Sequence, residues 1–455
     1  MPGAAIDVHP IVRELGERFA AADHELYLVG GGVRDALLGR PTSDFDLATS
    51  AHPQETLRML RGWADRRYLQ GVHFGTVGAR KDEHSLEITT FRSEVYRPED
   101  RKPGVTFADD IETDLSRRDF TINAMAVRLP DGVFVDPFGG VKALAAKSLD
   151  TPLDPEVAFT DDPLRMLRAA RFISQLDVTP APRVIKAMRE MRDRLQIVSA
   201  ERINDELMKL LVSPKPSLGL ALVVEAGLAN EFLPELTALR LEQDPVHKHK
   251  DVLSHTLAVV ERCEPIPVLR LAALLHDIGK PSTRRFTEDG VQFHHHEVVG
   301  ARMAEDRLRM LRFPGAVIGD VRTLVELHLR FHTYRMGWTD GAVRRYVRDA
   351  GHLLDLLNQL TRADCTTQNA MKAKEFAALQ DEMEERIARL AEQEVLQAIR
   401  PPLDGKQVMD HLGVEPGPVV GEALDYLLEE RLERGPIDEG EAVRLLDGWW
   451  VAREA

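Results

Sequence analysis

The apolar positions of this chain alternate between two spacings in its first third and keep to one afterwards. Over residues 9–22 they recur every three to four positions and predict an amphipathic helix. Tyr27-Leu28-Val29 reads as a short buried strand, followed by Gly30-Gly31-Gly32 and a helix over 33–38. The run Asp44-Phe45-Asp46-Leu47-Ala48 alternates, so as a strand it sets Asp44 and Asp46 on one face and Phe45 and Leu47 on the other. Residues 55–63 read as a helix, and 71–79 and 86–91 as strands, with Glu87, Thr89 and Phe91 sharing a face. The polar stretch 93–116 carries two prolines and no apolar period, which predicts a mobile loop spanning two parts of a site. As a helix, 117–126 would set Asp119 and Asn123 four apart on one side, and 136–140 (DPFGG) would then turn to close a head region. Beyond it the spacing is helical: an Arg-rich helix opening at Pro163 with Asp162 as N-cap, then 183–195, 200–211 and 217–228. Further on, LRLAALLHDIGKP is a strongly apolar helix, and Phe376, Leu379, Met383, Ile387 and Leu390 mark another. Pro401-Pro402 breaks that one, and 404–430 holds two shorter helices about a Gly/Pro turn.

Chemistry enters with residues 28–49. Two anions one residue apart on a strand repel and destabilise it unless a cation lies between them, which suggests a Mg²⁺ site at Asp44 and Asp46. Gly30 and Gly31 let backbone approach a ligand closely, and the helix behind them favours anions. Arg34, in its first turn, can reach a phosphate. Spacing alone leaves Glu87 open between an exposed strand residue and a third metal ligand. Asp119 stays open likewise between a helix cap and a hydroxyl-binding group, and Asp162 between a cap and a base-reading one.

Composition narrows the class. The 455 residues suggest about three domains by length. The net charge of −15 means that any nucleic-acid contact must come from a local basic face. Such a stretch runs from Arg168 to Lys209. Cys263 and Cys365 give no disulfide framework, no signal peptide is apparent, and the longest apolar run, 218–228, contains Glu225. The expectation is a soluble cytoplasmic protein.

GGxVRD…DxDLAT resembles the opening motif of the polymerase β-like nucleotidyltransferases. More narrowly it is similar to the second-class bacterial CCA-adding tRNA nucleotidyltransferases and poly(A) polymerases. RRDFTINAMA resembles that family's second motif, and DDPLR its base template, with Asp161 in place of the usual Glu. The resemblance implies Asp44, Asp46 and Glu87 as the catalytic carboxylates. It implies Arg92 near the phosphates, Arg118 as a further nucleotide-binding residue, Asp119 with Asn123 at the ribose, and Arg168 and Arg171 as nucleotide-binding residues on the template helix. Asp162 and Arg165 would read the base. Cytosine and adenine each set an amino donor beside a ring-nitrogen acceptor, and guanine and uracil reverse that order, so a carboxylate plus a guanidinium accepts C and A alone.

From about residue 245 histidines accumulate: His255, His276-Asp277, His294-His295-His296, His328, and then Asp364. Histidine with carboxylate binds divalent or transition metals. The order resembles an HD phosphohydrolase domain, HDIGK being the specific match. It implies His255, His276, Asp277 and Asp364 around one metal, with His296 and His328 for a second.

The expectation is therefore an α+β chain. A polymerase β-like nucleotidyltransferase head with a small mixed sheet spans 1–150. An all-α neck with the template follows over 151–240, an HD domain over 241–370, and a helical tail that holds the tRNA body over 371–455. Its function would be addition of C, C and A to the tRNA 3′ end from CTP and ATP, with Mg²⁺ in the head and a divalent metal in the HD domain. The rivals are an A-only tRNA nucleotidyltransferase or poly(A) polymerase, an HD phosphohydrolase with an inactive head, and a non-catalytic RNA-binding protein.

Overall fold

The computed structural model describes residues 8–41, 44–95, 104–108, 110–241, 251–287, 290–366, 369–393 and 399–454. The chain divides into two compact units, Met1–Pro234 and Glu235–Ala455.

The first unit opens with α1 (Pro10–Ala20), β1 (Leu26–Val29), α2 (Gly31–Leu37), β2 (Asp44–Thr49) and α3 (Pro53–Met59). Next come β3 (Arg66–Tyr68), β4 (Thr76–Lys81), β5 (His84–Thr90), β6 (Arg92–Val95), β7 (Gly104–Phe107) and α4 (Ile111–Ser116). The head ends in β8 (Ala126–Leu129), β9 (Phe134–Val135), α5 (Gly140–Ala145) and β10 (Ser148–Leu149). Seven strands form one mixed sheet in the order β3-β4-β5-β2-β1-β8-β9. Within it β2 and β5 run parallel, while β1 is antiparallel to both β2 and β8. One sheet face packs Phe45, Leu47, Leu86 and Ile88 against Val12, Leu15 and Phe19 of α1. The other packs Tyr27, Val29 and Ala48 against Ile111 and Leu115 of α4 and Ala124. The head carboxylates lie on this second face, beyond its apolar patch.

Several local expectations need correction. Residues 117–126 do not form a helix. Only a 3₁₀ turn, Thr121–Asn123, forms, because the chain must already be extended at Ala126 to pair with Val29. The polar stretch 93–116 is not one loop. Its flanks pair as the β6–β7 hairpin and fold as α4, capped by Asp110 at the Thr113 N–H; 96–103 and 109 lie outside the described residues. The strand expected over 71–79 begins at Thr76, after a 3₁₀ turn at Val72–Phe74.

The neck comprises α6 (Pro155–Asp161), α7 (Arg165–Leu176), β11 (Thr179–Pro180), α8 (Pro182–Glu190), α9 (Ala200–Leu211), α10 (Pro216–Glu225), α11 (Ala229–Phe232) and α12 (Pro234–Ala238). Helix α7 starts two residues later than Pro163 suggested, and Asp162 instead ends α6 with extended backbone.

The second unit holds α13 (Val252–Arg262), α14 (Pro267–Leu275), α15 (Lys280–Thr283), the hairpin β12 (Arg284–Thr287) and β13 (Gly290–Phe293), α16 (His296–Met310) and α17 (Gly315–Leu327). It continues with α18 (Asp340–Ala350), α19 (Leu354–Asp364), α20 (Ala370–Gln393), α21 (Gly405–Leu412), α22 (Pro418–Arg434) and α23 (Glu439–Glu454). The last three share a small core of their own, including Val408, Leu427 and Leu446. Among the described residues, no helix is long and apolar enough to cross a membrane.

Candidate active site and metal centre

Strand parity builds the head site. On β2, Phe45 and Leu47 are buried while Asp44 and Asp46 are exposed on the opposite face. Parallel pairing sets Asp46 across from Glu87, which is exposed on β5 between buried Leu86 and Ile88. The three carboxylates therefore share one open face. Partial desolvation raises the carboxyl of Asp46, as does Asp44, against the opposing charge of Arg118. Glu87 is raised by partial desolvation and by both aspartates. Three mutually repelling oxygen donors suit a hard divalent cation, which would remove that repulsion.

Beside them, Gly30 precedes α2 with φ +69°, a backbone shape that favours glycine. A Cβ there would stand 2.7 Å from Arg118 Nη1 and 3.7 Å from Asp46 Oδ2, so cradle, arginine and carboxylate converge. Arg34 does not stand free toward a phosphate. It is only 5% exposed and donates to Asn123 Oδ1 at 2.8 Å and to Asp35 at 2.9 Å. Arg92 donates to the Phe74 carbonyl.

The residues expected at ribose and base form one network. Asp119 Oδ1 accepts from the Phe120 N–H at 2.8 Å and from Asn123 Nδ2 at 2.9 Å, and Oδ2 accepts from Arg168 Nε at 2.8 Å. Burial pushes this carboxyl up, but Arg168 and Asn123 outweigh it and bring it down to about 2. Arg34, Arg168 and Arg171 all lie over the ring of Phe172, at 5.3, 5.7 and 4.2 Å. Arg171 also donates to the buried Glu206 at 2.7 Å. Asp162 Oδ1 accepts from the Leu164 N–H at 3.2 Å, and Oδ2 from Arg202 at 2.8 Å. Arg165, largely buried, donates to the Arg117 carbonyl. Asp162 thus fixes the turn that leads into α7 and stands at the mouth of that helix. Sequence reasoning gave no site role to Glu206, Arg202, Phe172 or Asp114, and only the fold shows what they touch.

The second unit gathers the histidines. His255 Nε2 is 2.8 Å from Asp364 Oδ1, and His276 Nε2 is 3.2 Å from Asp277 Oδ2. His296 Nε2 is 3.3 Å from Asp277 Oδ1. Two sets of potential ligands have all their atoms within 4.8 Å of one another: His255–His276–Asp277 and Asp277–His296–His328. Asp277 belongs to both. The Nδ1 atoms of His276, His296 and His328 face the carbonyls of Ala273, Phe293 and Val325, which turns each Nε2 inward, where a neutral ring offers a lone pair. The Nε2 atoms of His296 and His328 are buried without a hydrogen bond. Burial opposes charge on His276, but Asp277 and Asp364 push it up to about 10, while burial and His276 bring His328 down to about 3. Inward imidazoles around two carboxylates held well below their usual range fit a divalent metal. Gly279 makes the geometry possible: a Cβ there would meet the His296 carbonyl at 2.2 Å.

Family models match three stretches: a Poly A polymerase head domain over 26–150, a probable RNA and SrmB-binding site of polymerase A over 177–239, and an HD domain over 252–369. The CCA-adding enzyme of Anoxybacillus flavithermus is 42% identical over 242 residues, 53% of this chain and only 58% of that enzyme. The A-adding tRNA nucleotidyltransferase of Deinococcus radiodurans is 35% identical over 419 residues, 89% of this chain and 91% of that one. The chain belongs to the tRNA nucleotidyltransferase family of CCA-adding and A-adding enzymes. The fold agrees. The Bacillus stearothermophilus CCA-adding enzyme, solved in complex with CTP, matches with a TM-score of 0.72 and 25% identity, covering 98% of this chain and 99% of that one. Among tRNA nucleotidyltransferases, then, this chain carries both a three-carboxylate head and a histidine–aspartate centre.

Proposed function

We propose that this chain adds C, C and A in turn to the 3′ end of tRNA from CTP and ATP, releasing pyrophosphate, and that its place is the cytoplasm. The observation that carries the reading is the register of Asp46 against Glu87, with Asp44 on the same open face and the Gly30 turn beside it. Asp44, Asp46 and Glu87 would hold Mg²⁺, which would supply charge that makes the 3′-OH more acidic and neutralises the triphosphate. Gly30 and Gly31 receive the triphosphate with Arg118 and Arg92 close by, and Arg34 braces the cradle from behind through Asn123. Asp119 and Asn123 frame the ribose while fixing Arg168. Asp162 accepts the amino group of cytosine or adenine and Arg165 donates to the ring nitrogen, with Arg168 and Arg171 as the positive wall of the template. Catalysis then comes from positioning and charge. The tail holds the tRNA body. In the second unit, His255, His276, Asp277 and Asp364 hold one metal, and Asp277 with His296 and His328 a second, a donor set suited to phosphoester hydrolysis.

The A-adding relative, which aligns over nine-tenths of both chains, favours a second reading, addition of A alone. Both readings are tested with two tRNAs, one ending at the discriminator base and one ending in CC, given Mg²⁺ and labelled CTP or ATP separately. A CCA-adding protein extends the first with CTP and the second with ATP. An A-only protein extends only the second. Failure to extend either would overturn both readings.

A further inference from the structure

Among the described residues of the head, one fully buried charge is a carboxylate with no role so far. Asp114, on α4, is 0% exposed. Its Oδ1 accepts from Arg117 at 2.7 Å (Nη2) and 3.2 Å (Nε), and its Oδ2 accepts from Arg118 Nη2 at 3.2 Å. Arg118 then has its other terminal nitrogen toward the site, and Arg117 reaches it through its backbone. Arg118 brings Nη1 over Gly30, and its charge bears on Asp46. The backbone carbonyl of Arg117 accepts from Arg165. Burying an ion pair or triad contributes little stability, since desolvation offsets the attraction. Such a group is costly to keep unless its geometry is used, and here one carboxylate fixes the cation that stands between the phosphate cradle and the catalytic strand.

We infer that Asp114 is a positioning residue for triphosphate binding: it anchors Arg118 over the Gly30 turn, where that guanidinium meets the β- and γ-phosphates of the incoming nucleotide. The guanidinium fork needs two fixed points to present its remaining N–H groups in one direction, and the carboxylate of Asp114 provides the buried one. The inference rests on reading the Gly30–Gly31 turn as the triphosphate site.

The test uses the full chain with Mg²⁺ and a tRNA substrate. Asp114→Asn keeps the shape but removes the charge, and it turns one of the two accepting oxygens into an amide donor that cannot receive an arginine N–H. It should raise KM for CTP and ATP alike by about tenfold, the scale of one weakened charge-assisted contact, with a smaller change in kcat. Inhibition by inorganic pyrophosphate should weaken by the same factor, inhibition by CMP should not move, and the preference for CTP and ATP over UTP and GTP should stay as in wild type. A merely structural role would weaken CMP and pyrophosphate together. Should Asp114→Asn not fold, Arg118→Lys decides the matter, because it keeps the charge and loses the fork; it should show the same selective loss of pyrophosphate inhibition. In a protein that carries both substitutions, the effects should not add. Equal loss for CMP and pyrophosphate, an unchanged KM, or additive effects would overturn the inference. Pyrophosphate failing to compete with CTP in wild type would instead overturn the cradle reading itself.

Discussion

Replacing Asp46 by alanine leaves Glu87 and Asp44 in place but removes the carboxylate that faces both Glu87 and the Gly30 turn. Incorporation of CTP and of ATP should fall together by about a thousandfold or more, the scale of losing several kcal/mol of charge stabilisation. Asp44→Ala should act alike. Circular dichroism would confirm that the variants fold, and substantial transfer by the folded double variant would place the metal elsewhere. Selectivity should sit on other residues. Asp162→Asn can still cap the Leu164 N–H, so a cap role alone predicts wild-type behaviour. A base-reading role predicts instead a loss of about 1–3 kcal/mol of discrimination and more UTP or GTP misincorporation. Arg165→Ala should show the same relaxation with slower addition of both correct nucleotides. Single-turnover kinetics with all four nucleotides decide between the two, and unchanged selectivity in Asp162→Asn would reduce that residue to a cap.

At the scale of elements, the 119–123 turn and α7 are joined through Asp119 and Arg168. Burial raises the Asp119 carboxyl but its partners bring it down to about 2 from its ordinary 3.8, so its contribution is fully present above the upper value and is lost as pH falls through the lower. The stability gap between wild type and Asp119→Asn should therefore narrow by about 1 kcal/mol between pH 5 and pH 3. Urea titrations at the two pH values would measure it, and a gap that does not change would mean that the turn and α7 are not coupled by this charge. The sequence showed those elements unevenly. The faces of β2 were legible because a strand's period of two is rigid: once Phe45 and Leu47 are inside, Asp44 and Asp46 must be outside. The 3₁₀ turn was not, because its extended exit depends on the pairing of β8 with β1, which no local pattern announces. Asp114 was hidden for a similar reason. A lone aspartate in a polar stretch carries no period, and its burial is decided by where α4 docks.

Across the whole molecule, the two candidate sites lie in different compact units. Asp277→Ala removes the residue shared by both histidine sets and takes a carboxylate away from His276 and His296. Metal bound by the second unit should fall to near zero in elemental analysis, and any metal-dependent phosphatase activity should go with it. Nucleotide addition should stay within about threefold of wild type, less than 1 kcal/mol in barrier. Collapse of nucleotide addition in a folded protein would show that the head depends on the second centre. Here too legibility was uneven. HDIGK pointed to the centre, but only the packing shows why its glycine is needed, since any side chain at Gly279 would collide with the His296 carbonyl.

The strand that carries Asp44 and Asp46 is the middle one of the seven, flanked by β5 on one side and β1 on the other. From Leu47 to Thr49 it is paired on both sides, so peptide N–H groups there should trade their protons for deuterons only when the sheet of the head opens. In rising urea, catalysis should then persist until the sheet as a whole gives way, and the two curves should share one midpoint. Activity lost well before the slowest-exchanging amides of β2 would show that peripheral parts, such as the β6–β7 hairpin, fail first.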